Sequence, residues 1–115
     1  MSKRDTLRSA VLGKKPTFRS EIVEYEGEKF EIRQPTNKAR RDLFKKATDE
    51  SGKIDMMDFV MWAVIYNTYE PGTDTTVFEE SDYDVLANLP AGGVVDKLGE
   101  VASKLLNVED DTGKK

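Results

Sequence analysis

The sequence predicts an α+β fold, mostly α, with an N-terminal β-hairpin packed on a small bundle of about four helices. Three observations lead there. Apolar and polar residues alternate across 29–33, after a glycine turn. Ten of the eleven residues in 56–66 are apolar. Seven apolar residues between 94 and 106 recur at helical spacing. The chain has 115 residues, of which 35% are charged. That length suits one small domain with a modest core.

Residues 1–17 read as a basic arm, partly ordered. A short helix over 6–12 with Leu7, Val11 and Ala10 on one side, or a frayed arm, both suit this stretch. Residues 18–34 read as the hairpin. Ile22, Val23 and Tyr25 precede the turn signal Glu26-Gly27-Glu28, and Phe30 and Ile32 then share one face. Two strands alone are marginal in water, so that face must lie on helices or on another chain. After Gln34-Pro35, Thr36 or Asn37 caps a helix over 37–47 with the apolar face Ala39, Leu43, Phe44 and Ala47.

Asp55 caps the next helix, over 56–69. Being apolar nearly all round, it is expected to be buried on all sides, by its own domain or by a partner. Glu70-Pro71-Gly72 stops it. Ser81-Asp82-Tyr83-Asp84 resembles a capping box with Asp in place of Glu and opens a short helix to about Asn88, which Leu89-Pro90 breaks. The last helix spans 91–107, with Val94, Val95, Leu98, Val101, Ala102, Leu105 and Leu106 as its stripe. Residues 18–107 are thus one globular domain, and 108–115 are expected to be a disordered tail.

Function classes fall away quickly. The chain has no Cys and no His. It therefore lacks disulfides, Cys or His metal ligands, a Cys nucleophile and a His general base. No enzyme, cofactor or metal is expected. Around Gly52 the sequence mimics a calcium loop, with Asp49, Ser51, Asp55 and Asp58 at ligand positions. Ala47 stands where the first ligand belongs, and Asp58 replaces the bidentate Glu, so a helix–helix connector is expected instead. Gly92-Gly93 before a helix lacks the rest of any phosphate-loop pattern. No signal peptide or membrane span is expected, because the apolar stretches are too short.

Charge is distributed unevenly. The net charge is −4, yet residues 1–20 carry a net +5 and residues 54–90 a net −8. This polarity marks Lys3, Arg4 and Arg8 against Asp82 and Asp84 as candidates for self-association into a homo-oligomer. Nucleic acid is not expected as a partner, since the arm offers only Phe18 for stacking. Met56, Met57, Met61, Trp62, Tyr66 and Tyr69 form the candidate partner-binding set, because thioethers adapt to irregular apolar partners and Trp and Tyr anchor interfaces. The competing reading is that these residues are simply core.

The overall order carries a family resemblance. A basic arm precedes Tyr25-Glu26-Gly27-Glu28-Lys29-Phe30-Glu31-Ile32-Arg33-Gln34-Pro35-Thr36, then a basic helix and an apolar helix. Glu70-Pro71-Gly72-Thr73 leads on to Val77-Phe78 and Asp82, then Leu86, Leu89-Pro90, the run Val94 to Leu98 and a terminal amphipathic helix. Over about residues 18–107 this resembles the tail assembly chaperones of long-tailed bacteriophages, the lambda-type family. The motifs are diffuse and none is a catalytic signature. The resemblance implies a non-enzymatic protein in the host bacterial cytoplasm, absent from the mature virion. Its partners would be the tape measure protein, kept soluble while tail subunits polymerise, and the major tail protein. It also implies a longer form made by programmed frameshift, with which Gly113-Lys114-Lys115 is compatible. The other readings are a structural phage protein retained in the virion, as head–tail connector or minor tail component, and a small regulatory nucleic-acid-binding protein acting through 1–19.

Overall fold

The computed structural model describes residues 2–106. The expected tail at 108–115 and its frameshift signal lie outside them. The architecture is α+β and mostly α, as the sequence predicts. In chain order the elements are α1 (Lys3–Leu12), β1 (Ser20–Tyr25), β2 (Glu28–Arg33), α2 (Asn37–Lys46), α3 (Met56–Asn67), β3 (Thr68–Tyr69), a 3-10 turn (Glu80–Asp82), α4 (Tyr83–Ala87) and α5 (Val94–Leu106).

Residues 3–12 of the arm form a regular helix. Ser2 caps α1 by accepting from the Asp5 N–H at 3.1 Å, yet α1 buries none of its residues. In the hairpin, Glu26 (φ 56°) and Gly27 (φ 80°) form a two-residue turn with both φ positive. That turn matches the natural twist of paired strands, and glycine removes half its steric cost. Tyr25 then pairs with Glu28 and Ser20 with Arg33. Opposed residues share a face, so Val23 and Phe30 point the same way as Ile32. Val23 and Ile32 are buried and Phe30 is half-buried, against the helices.

The sheet has a third strand that the sequence reading does not contain. The apolar helix was expected to run over 56–69. It ends at Asn67, and Thr68–Tyr69 pairs antiparallel with β2, Thr68 opposite Ile32 and Tyr69 opposite Glu31. Ladder bonds to β2 replace a last half-turn of helix, and Thr and Tyr both favour strand geometry. Residues 70–77 double back as a strap. The Glu70 N–H donates to the Thr75 carbonyl at 2.8 Å and the Val77 N–H to the Thr68 carbonyl at 3.0 Å.

Helix α3 is the axis of the core. Its Phe59, Ala63 and Val64 meet Leu43 and Ala47 from α2 and its C-cap, Leu98, Ala102, Leu105 and Leu106 from α5, and Val23 and Ile32 from the sheet. Phe44 stacks on Phe59 with ring centroids 4.4 Å apart. Asp55 caps α3, accepting from the Asp58 N–H at 3.1 Å, and Thr36 caps α2, accepting from the Ala39 N–H at 3.0 Å. The close approach of α5 to α3 rests on Gly99, where a Cβ would lie 2.6 Å from Val60 Cγ1.

Three further expectations need correction. Helix α3 is not buried on all sides, because its first turn leaves Met57 79% exposed. The capping box lies two residues earlier than expected, with the Asp82 carboxylate accepting from the Glu79 N–H at 2.8 Å. Asp82 can reach back to Glu79 because the 3-10 turn 80–82 precedes α4. The last helix starts at Val94 rather than 91, since Gly92 takes a φ of +84° that interrupts a right-handed helix.

Candidate functional site

A groove of about 940 Å³ runs beside α2, between the strand ends and the last turn of α3. Leu43, Ala39, Pro35 and Phe18 give it apolar walls, Tyr66 and Tyr69 add aromatic edges, and its charged rim mixes Arg33, Lys45 and Lys46 with Asp42 and Asp74. Each position follows from the local fold. Leu43 faces inward on the one apolar stripe of α2, and Ala39, one turn earlier, leaves room beside it. Tyr69 reaches the groove because it lies in β3, on the sheet face opposite the core.

Arg33 organises that outer face. Its guanidinium lies 4.1 Å from the Tyr69 ring centroid and pairs with Glu31 at 3.2 Å and Asp74 at 3.1 Å. It also donates to the Thr73 carbonyl. Glu31 accepts in addition from the Gly72 N–H at 3.0 Å. That backbone bond and the Arg33 guanidinium hold the Glu31 carboxyl below its ordinary range. Together these contacts fasten the strap 70–77 to the sheet.

The six candidate partner-binding residues do not form one surface. Tyr66 and Tyr69 line the groove. Met56 and Met57 are exposed at the opposite end of α3, and Met61 is half-buried between them. The Trp62 ring is already engaged, with Lys46 Nζ 4.5 Å from its centroid, Tyr83 at 4.7 Å and Tyr66 at 5.9 Å. Tyr66 donates to Glu80 and Tyr83 donates to Asp58. Burial, reinforced by Glu80, pushes the Tyr66 phenol up to about 12. The bond to Asp58, reinforced by burial, does the same for Tyr83.

Sequence reasoning missed Asn67. It is 6% exposed, lines the groove, and its Nδ2 has no hydrogen-bond partner, nor does the buried Thr68 hydroxyl beside it. An unmet buried amide costs on the order of 1–3 kcal/mol. The one available signal was a polar residue ending an otherwise apolar helix.

Other candidate sites look different in space. Asp49 Oδ1 accepts from the Ser51 N–H, the Ser51 hydroxyl and the Lys53 N–H at 2.9, 2.7 and 2.9 Å. These bonds lower its pKa and commit it to shaping its own loop. Beside Gly92-Gly93 lies a smaller hollow of about 380 Å³, where Asp96 and Glu100 would oppose an anion. Lys3, Arg4 and Arg8 lie on α1, and no ion pair among the described residues joins them to Asp82 or Asp84. No helix among the described residues is long and apolar enough to cross a membrane.

No protein-family model, curated protein or solved structure matches this chain.

Proposed function

We propose that the protein is a non-enzymatic assembly chaperone that holds an extended, apolar segment of a client chain in the α2–β3 groove. The observation that carries this reading is the groove's make-up. It combines an apolar wall of Leu43, Ala39, Pro35 and Phe18 with the two edges of Tyr66 and Tyr69. An extended peptide supplies apolar side chains for that wall and those edges. A chain without Cys or His suits holding better than bond-breaking.

The resemblance of 18–107 to phage tail assembly chaperones supplies the client's identity. It would be the tape measure protein, bound in the host cytoplasm while major tail protein assembles around it, with the chaperone left out of the virion. Co-expression with a tape measure protein tests this. The wild type should keep the client in the soluble fraction. Ala39→Trp, which fills the groove from an exposed position, should release it to the pellet with the chaperone still folded. Equal client solubility with and without the protein would sink the reading. Recovery of the protein in purified particles would replace it with a structural role.

A further inference from the structure

A helix that buries none of its residues raises a separate question. Every residue from Ser2 to Ile22 is exposed, so α1 leaves Leu7, Val11 and Leu12 56%, 74% and 65% exposed. A ten-residue helix is marginal in water unless something packs on it. Its residues are sorted by face. Lys3, Arg4, Leu7, Arg8, Val11 and Leu12 fall at i, i+3 and i+4 spacing on one side, while Thr6 and Ser9 lie away from it and Asp5, at its edge, pairs with Arg4 at 3.8 Å. The result is one face both apolar and cationic, and its partner should be apolar and acidic.

The chain carries such a surface at the entry to α3. Ile54, Met56 and Met57 are 46%, 45% and 79% exposed in a row, interleaved with Asp55 and Asp58. The Tyr83–Asp58 hydrogen bond brings the start of α4, with Asp82 and Asp84, to the same end of α3. Within residues 54–90 there is no Lys or Arg to neutralise these acids. We propose that α1 of one copy docks on the 54–58 surface of a second copy, with Leu7 and Val11 against Met56 and Met57 and with Lys3, Arg4 and Arg8 facing Asp55, Asp58, Asp82 and Asp84. The contact is between different surfaces of two copies. Two copies can exchange arms to close a dimer, and longer chains form if they do not close. The groove is not involved, so this association stands or falls apart from client binding.

The test uses the full chain and residues that face solvent. Sedimentation of the wild type at about 50 mM salt should show dimers or larger species, weakened roughly tenfold or more at about 500 mM. R4E/R8E and M57K/D84K should each be monomeric alone, because each reverses one half of the contact. Mixed together, the two variants should associate again. Amide exchange in residues 3–12 should slow as wild-type concentration rises. Three results would each overturn the proposal. They are a wild-type monomer at every salt, unchanged association of M57K/D84K, and a monomer whose α1 instead binds vesicles of phosphatidylcholine and phosphatidylglycerol at about three to one.

Discussion

Two tyrosines tie α3 to its neighbours, and their chemistry sets an alkaline limit on stability. Tyr83 donates to Asp58 and Tyr66 to Glu80, and each phenol is pushed from 10.0 up to about 12. The folded state holds these protons more tightly than the unfolded chain does. The stabilisation is therefore complete below pH 10 and is lost as pH climbs toward about 12. Tyr83→Phe should cost about 1 kcal/mol at neutral pH. It should also flatten the fall in melting temperature across that alkaline window relative to wild type. Glu31 has the opposite sign. Its lowered pKa gives stability that is present above 4.5 and lost as pH falls through the folded value. Glu31→Gln should cost about 1–2 kcal/mol and raise proteolysis within the strap 70–77, read by limited digestion. Neither tyrosine bond was legible in the sequence. Tyr66 and Tyr83 are 17 positions apart, and only the turn at 70–82 brings Glu80 to one and Asp58 to the other.

Local grammar was legible at the level of elements, and tertiary exceptions were not. Thr36 and Asp55 cap α2 and α3 as their side-chain chemistry predicts, and Gly27 closes the hairpin. The strand at 68–69 was hidden, because two residues carry no periodicity and the partner ladder lies more than thirty positions away. Gly99 was equally silent, since a glycine inside an amphipathic stripe reads as a local weakness until the facing helix is known. Gly99→Ala should gain up to about 1 kcal/mol of helix propensity but lose about 1–3 kcal/mol to the Val60 contact, since a β-branched side chain in a helix cannot easily turn aside. Net destabilisation is expected in urea denaturation. A Val60→Ala background should erase most of it, while additivity of the two changes would refute the contact.

Across the whole molecule, the apolar helix that looked wholly interior serves three environments. Its first turn faces solvent, its middle is core, and its last turn borders the groove. Composition announced that something would cover this helix but could not say where, because hydropathy does not record which side of a turn the chain leaves by. The groove itself was legible only through Tyr66 and Tyr69. Phe18, Pro35 and Leu43 reach it from segments that nothing in the local pattern links. Under high salt and dilution, where the proposed contact between copies is absent, Met57→Ser should leave the melting temperature unchanged within error, since that side chain is 79% exposed, which separates surface from core on α3.

The unpaired polar atoms at Asn67 and Thr68 also make this junction the easiest place to improve the protein as a material. Thr68→Val keeps the shape and removes a buried hydroxyl that bonds to nothing, so it should raise stability by about 1 kcal/mol in denaturant melts. Asn67→Leu should stabilise for the same reason and by a similar amount in the same melts.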